Sequence, residues 1–259
     1  MIFDTHNHAD FSCDAHMTLE EAIRAAKKLN IGFVLTEHWD YDYPTNPDLF
    51  TFDKKAYFTK NEKYRSDSVL LGIEVGMQKH LAAKEDAVTE GFNFDMVIGS
   101  IHCMNKLDLY EETTYAGLTK DEAEVNFLED TLACLDNHNN FDSLGHIDYL
   151  TRYWPYEGQY LDYAKHKKAY DTVLATLLDK GKVIEINTRR LDDKEAINAL
   201  LPIYNAYKKL GGTYVTIGSD AHYVEHVGRR LDVALKIAKD TGLIPVYFKE
   251  RKLVVMKEG

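Results

Sequence analysis

The 259-residue chain is poor in cysteine, in cationic side chains and in long apolar runs. Its three cysteines, Cys13, Cys103 and Cys134, show neither paired spacing nor a Cys-x-x-Cys pattern, which argues against a disulfide framework and against a thiolate zinc site. Lys and Arg number 31 against 42 Asp and Glu, a formal net charge of -11. Non-specific nucleic-acid binding draws its affinity from Lys and Arg, so no nucleic-acid partner is expected and a small substrate is. No apolar stretch approaches the roughly 20 residues that span a bilayer, which excludes a helical membrane anchor. The start, Met1-Ile2-Phe3-Asp4-Thr5-His6, leaves no room for a signal peptide, so the expected location is cytoplasmic. With five prolines and no proline-rich linker, low-complexity run or internal repeat, the chain reads as a single domain over 1–259.

What is present is an ordinary globular composition, 45% hydrophobic and 28% charged, able to bury a large core. Short β-type runs alternate with helical ones. Strands are expected over Ile2 to His6, Ile31 to Thr36, Val69 to Val75, Asp95 to Ser100, Asp142 to His146, Val183 to Asn187 and Thr213 to Ile217. Helices are expected over Leu19 to Leu29 and Thr119 to Asn137, each with a capping box (Thr18 with Glu21, Thr119 with Glu122), and over Asp162 to Lys180, stopped by Gly181. Strict alternation implies parallel strands joined by crossover helices, in an open sheet or a barrel. Val246 to Val255 alternates around a charged turn and predicts a terminal β-hairpin. Two long segments, Trp39 to Phe52 and Cys103 to Gly117, read as loops over the mouth, and their Trp39, Tyr41, Tyr43 and Tyr115 are candidates for stacking on a substrate ring or for loop packing.

Nearly every expected strand ends in an ionisable side chain: His6 and His8, then His38, Glu74, His102, His146, and Asp220 with His222, with Asp14 following the first. In an open sheet only strands near the switch point share a crevice, whereas a barrel brings every strand's C-terminal end to one mouth. The distribution therefore favours a distorted seven-stranded α/β barrel. His6 and His8, two residues apart on an extended strand, face the same way and can grip one ion. Bound divalent cations would invert the local potential, so an acidic chain can still draw a phosphate into its pocket.

Asp4-Thr5-His6-Asn7-His8 with Ser12 and Asp14, Thr36-Glu37-His38, Gly72-Ile73-Glu74, Ile98-Gly99-Ser100-Ile101-His102, Gly145-His146-Ile147-Asp148 and Gly218-Ser219-Asp220-Ala221-His222 together resemble the polymerase and histidinol phosphatase (PHP) family of metal-dependent phosphoesterases. The resemblance implies three divalent ions: one on His6, His8, Glu74 and Asp220, a second on His102 and His146 bridged by Glu74, and a third on Asp14, His38 and His222. Mixed imidazole and carboxylate donors suit zinc, manganese and iron alike. Two such ions about 3.5 to 4 Å apart activate a shared water for in-line attack at phosphorus, with no protein nucleophile. Glu74 as the bridge, Asp220 and His222 are the expected catalytic groups; the ester oxygen must leave as an alkoxide or be protonated, with Asp220, His222 or a metal-bound water as the candidate helpers. Arg152, Asn187, Arg189 and Arg190 are the expected substrate contacts, since guanidinium forks suit phosphate oxygens. Glu185-Ile186-Asn187-Thr188-Arg189 and Arg152-Tyr153 are similar to the histidinol-phosphate phosphatase branch, which implies hydrolysis of L-histidinol phosphate, with Asp148 or Glu185 as possible ammonium partners. The alternatives are a PHP phosphoesterase for phosphotyrosine protein or a nucleotide, and a metal-binding scaffold without turnover. His16, His80, His138, His166 and His226 match no motif, and the oligomeric state has no sequence signal.

Overall fold

Strand register decides where each side chain of this chain goes. The computed structural model describes residues 1–257. In chain order these form β1 (Phe3–Asp4), α1 (Leu19–Lys28), β2 (Gly32–Trp39), α2 (Lys54–Asn61), β3 (Val69–Gly76), α3 (Ala82–Asp86), β4 (Val97–Ser100), β5 (Cys103–Met104), β6 (Leu107–Asp108), α4 (Lys120–Asn137), β7 (Ser143–Leu144), α5 (Lys167–Asp179), β8 (Val183–Asn187), α6 (Lys194–Lys209), β9 (Tyr214–Gly218), α7 (Leu231–Thr241), β10 (Ile244–Lys249) and β11 (Lys252–Val255). The main sheet runs in the order β1-β2-β3-β4-β7-β8-β9-β10-β11, parallel throughout except for the antiparallel pair β10 and β11.

The sheet is thus a nine-stranded half-barrel and not the expected seven strands. The predicted terminal hairpin forms, but its first strand joins the parallel sheet, with Ile244 opposite Tyr214 and Pro245 opposite Val215. At the other edge, the Thr5 N–H donates to Ile217 O at 2.9 Å and the Asp220 N–H to His6 O at 2.8 Å, so the chain after β1 leans on the end of β9.

Successive side chains of a strand face opposite sides. On β3 this sends Leu71, Ile73 and Val75 outward into the large core shared with the helices, and Leu70, Gly72 and Glu74 to the inner face. The inner face is apolar at one end, where Phe3, Val34, Leu70, Met96, Ile98, Val183, Val246 and Phe248 pack together, and polar at the other. Burying a side chain of this size contributes about 1.5–3 kcal/mol. The apolar end therefore holds the strands in register for the polar end.

Both capping boxes form as expected, at Thr18 and at Thr119. Helix α5 starts at Lys167, five residues later than expected, because Asp162 organises a local turn: its carboxylate accepts the Lys165 N–H at 3.1 Å, and its own N–H donates to Glu124. It ends as expected, with Gly181 at φ +68°. β2 runs through Trp39, and β5 and β6 make a small hairpin inside the second long loop. Of the four loop aromatics, Trp39, Tyr43 and Tyr115 are buried and the Tyr115 hydroxyl donates to Leu109 O, while Lys84 Nζ covers the Tyr41 ring at 3.9 Å. These four are loop packing and do not form a ring-stacking surface. Among the described residues, no helix is long and apolar enough to cross a membrane.

Candidate metal centre

Glu74, fully buried on the inner face of β3, is surrounded by imidazoles. Its Oε1 lies 3.2 Å from His6 Nε2, 3.3 Å from His102 Nε2 and 3.0 Å from His146 Nε2. Its Oε2 lies 3.4 Å from His8 Nε2 and 2.8 Å from His38 Nδ1. Asp220 Oδ1 stands 3.5 Å from His8 Nε2 and 3.8 Å from His6 Nε2. A third corner is formed by Asp14 Oδ2, 3.2 Å from His222 Nε2 and 3.5 Å from His38 Nε2.

These approaches are close, yet His6 Nε2, His8 Nε2, His38 Nδ1, His102 Nε2 and Glu74 Oε2 are buried without any hydrogen-bond partner. Buried polar atoms are ordinarily paired, because an unpaired one costs about 1–3 kcal/mol. Two donors about 2.1 Å from a common cation stand roughly 3.0–3.4 Å apart, the spacing found around Glu74. The donor set therefore fits divalent cations. Groups of ligand atoms within 4.8 Å of one another are His6, His8 and Glu74; His38, Glu74 and His102; and His8, His38 and His222.

Behind the ligands a second tier fixes the rings. His6 Nδ1 donates to Glu185 Oε1 at 2.8 Å, His102 Nδ1 to Asp40 Oδ1 at 2.7 Å, and His222 Nδ1 to the Asp220 carbonyl at 2.9 Å. His8 Nδ1 meets Ser12 Oγ at 3.1 Å, and Ser12 in turn donates to Glu37. With the proton held on Nδ1, the Nε2 lone pair of each ring points inward, the tautomer a metal needs. Gly76 allows one of these contacts, since a Cβ there would sit 1.7 Å from Asp40 Oδ1. Asp220 itself adopts φ +54°, a costly left-handed conformation for a non-glycine residue and one typical of functional sites.

The electrostatics are those of a tight cluster. Burial alone would raise the Glu74 carboxyl, but His6, His102 and His38 hold it well below the usual carboxylate range. Burial likewise opposes the charged form of His102, yet Asp40 and Glu74 lift it to about 10. Asp220, despite burial, is held low by Arg152 and His6.

All nine ligand candidates, His6, His8, Asp14, His38, Glu74, His102, His146, Asp220 and His222, thus come together. Arg152, nearly buried, reaches the rim: its Nη1 donates to Asp220 Oδ2 at 2.7 Å and its Nη2 to Asn187 Oδ1 at 3.1 Å. Arg189 Nη1 lies 3.6 Å from Asp220 Oδ2 with 41% of its side chain exposed. Arg190 is not brought in. Its guanidinium donates to the Thr151 hydroxyl, faces Asp193 and lies over Tyr160, so the expected substrate contact is replaced by a structural one. Glu185 has both carboxylate oxygens engaged by protein donors, which removes it as an ammonium partner. His138 pairs with Glu85, His166 faces Asp121 and His16 stacks on Tyr223, all outside the cluster.

Sequence reasoning missed Asp40 and Tyr149. Asp40 had a signal, since it follows His38 by two along the strand direction, on the same face. Tyr149, whose ring lies 4.9 Å from that of His102 and 4.8 Å from that of His146, follows a short strand by five residues and had none.

Known proteins resemble this chain over most of its length. The PHP domain family matches residues 4–189. A "Probable histidinol-phosphatase" of Clostridium acetobutylicum is 45% identical over 97% of this chain and 98% of its own length. One of Thermotoga maritima is 30% identical over 99% of both. The crystal structure of histidinol phosphate phosphatase from Lactococcus lactis, complexed with Zn, L-histidinol and phosphate, superposes with a TM-score of 0.92 at 26% identity over 98% of both chains. With this family match and these ligand positions, the chain belongs to the PHP domain family.

Proposed function

We propose that this protein is a metal-dependent phosphatase that hydrolyses L-histidinol phosphate to L-histidinol and inorganic phosphate, the phosphatase step of histidine biosynthesis. The observation that carries the reading is the closure of five imidazoles on the one buried carboxylate of Glu74, with unpartnered ligand atoms facing one another. The relatives named above supply the substrate.

His6, His8, Glu74 and Asp220 would hold a first divalent cation, and Glu74, His102 and His146 a second. Asp14, His38 and His222 would hold the third, with His38 also facing Glu74. Zinc fits this donor set, as do manganese and iron. When bound, the cations supply Lewis-acid charge and a water activated for attack on phosphorus. The remaining work belongs to the chain. Arg152 offers a planar pair of donors to phosphate oxygens, and Arg189, more exposed beside Asp220, would supply a second guanidinium. Asn187 steadies Arg152, while Asp220, held ionised despite burial by Arg152 and His6, and His222, whose Nδ1 is spent on the Asp220 carbonyl, have no proton to spare for the departing alcohol oxygen, which would take it from water. The chain acts as one domain, and burial keeps bulk water from Glu74 and His6, while Asp14 stands open to solvent.

The test is phosphate release from L-histidinol phosphate by the metal-reconstituted protein, beside phosphotyrosine and a nucleoside monophosphate. A preference above roughly tenfold in kcat/KM for another ester would overturn the substrate. Glu74→Ala should abolish turnover, by more than about 1000-fold, because it removes the carboxylate that two cations would share. Near-normal turnover of that variant with cations present would reject the bridging role.

A further inference from the structure

Glu185, 1% exposed on β8 and four residues before Arg189, serves three partners at once. Its Oε1 accepts from His6 Nδ1 at 2.8 Å. Its Oε2 accepts both the His146 backbone N–H at 2.8 Å and Asn187 Nδ2 at 3.0 Å. Asn187 Oδ1 then accepts from Arg152 Nη2 at 3.1 Å and from the Arg189 backbone N–H at 3.0 Å. Arg152 completes the path at Asp220 Oδ2. Gly218 makes room for this arrangement, since a Cβ there would lie 2.4 Å from Glu185 Oε1 and 2.2 Å from His6 Cβ.

We propose that Glu185 is a positioning residue that sets the ring of His6, the backbone of His146 and, through Asn187, the guanidinium of Arg152 in one register. This rests on the reading that cations lie between the ligands and that Arg152 meets phosphate. The polarity of the chain of hydrogen bonds is fixed throughout. A carboxylate only accepts, so His6 carries its proton on Nδ1 and turns its Nε2 lone pair toward Glu74. The Asn187 amide cannot flip, because Arg152 and the Arg189 N–H both require an acceptor and Glu185 requires a donor. Ligand orientation and arginine orientation are therefore tied to a single buried carboxylate.

Glu185→Gln tests the assignment with almost no change of shape. If the new amide keeps its oxygen on His6, its NH2 confronts the His146 N–H and Asn187 Nδ2, and Asn187 must turn away from Arg152. If it presents its NH2 to His6, that ring must carry its proton on Nε2, where a cation would bind. One arm is lost either way. The expected result is zinc affinity, measured by chelator competition, weakened by about 10- to 100-fold, or phosphate affinity of the zinc-loaded protein, measured by calorimetry, weakened by roughly tenfold.

Asn187→Ala isolates the second arm, and decides the matter should Glu185→Gln fail to fold. It should retain zinc stoichiometry by elemental analysis while inorganic phosphate binds roughly tenfold more weakly. Folded Glu185→Gln with unchanged zinc and phosphate affinity would overturn the proposal, as would unchanged phosphate binding in Asn187→Ala. Failure of the underlying reading is distinguishable, because either the unaltered protein would then bind no zinc or zinc-loaded Arg152→Lys would bind phosphate as tightly as the unaltered protein.

Discussion

Arg152 and Arg190 carry the same side chain to two different fates. Arg152 spans Asp220 and Asn187 beside the ligand cluster, whereas Arg190 is engaged by Thr151 and Asp193 and lies over Tyr160. Replacing a fork by the single ammonium of lysine removes the paired geometry while keeping the charge. Arg152→Lys should therefore lower kcat/KM by roughly 10- to 100-fold, the loss expected for a hydrogen bond to a charged group, and weaken product inhibition by phosphate. Arg190→Lys should change kcat/KM by less than about threefold. Steady-state kinetics on the two variants check this, and equal losses would refute the division of roles. The nine ligand candidates were legible in the sequence because hard or borderline donors recur just after strands, where a parallel sheet gathers them. The arginines were less so, since Arg189 and Arg190 follow β8 within three residues and Arg152 follows β7 by eight, and only side-chain direction tells them apart.

Helix α4 shows how far an element can be read locally. Thr119 and Glu122 announce a capping box, and in the structure each side chain bonds the other's backbone. Thr119→Ala should cost about 1 kcal/mol and lower the Tm by roughly 2–4 °C without altering metal content, because the cap lies outside the half-barrel. Gly218→Ala should do the reverse in kind, since its Cβ would push on His6 and Glu185: metal content falls, by elemental analysis, more than stability does. Intact metal content in Gly218→Ala would show that the close approach there is not limiting. Other elements were hidden. β10 looked like part of a free hairpin because alternation reports a strand's faces, not its neighbour, and the pairing of Ile244 and Pro245 with β9 leaves no local mark. The start of α5 was hidden by Asp162, a turn former inside an otherwise helical pattern, and α6 carries Pro202 in its interior, which interrupts the periodicity that announces a helix.

The molecule as a whole is acidic, and its mouth gathers carboxylates and imidazoles whose protonation is linked to folding. Stripped of metal by a chelator, the fold has only the imidazole protons to offset Glu74, whereas Asp220 keeps the Arg152 guanidinium. Burial works against charge on His6 and His38, but Glu185 and Glu74 raise the first, and Asp14 and Glu74 the second, well above the ordinary imidazole value. His102, opposed by burial and raised by Asp40 and Glu74, reaches about 10. A group whose pKa is raised by folding stabilises the native state fully below its unfolded value, near 6.5, and loses that contribution as pH climbs through the folded value. His8 and His146, lowered chiefly by burial, act oppositely, contributing above about 6.5 and losing the contribution as pH falls. The metal-free protein should therefore lose thermal stability between about pH 6.5 and 10, where three raised imidazoles outweigh any further gain from two lowered ones. Cations replace those protons, so zinc loading near pH 7.5 should release protons into a weakly buffered, dye-monitored solution, and zinc affinity should weaken as pH falls. A metal-free Tm that stays level from pH 6.5 to 10, together with zinc uptake that releases no protons, would mean that the imidazoles around Glu74 are already neutral and that the cluster tolerates its carboxylates by some other means.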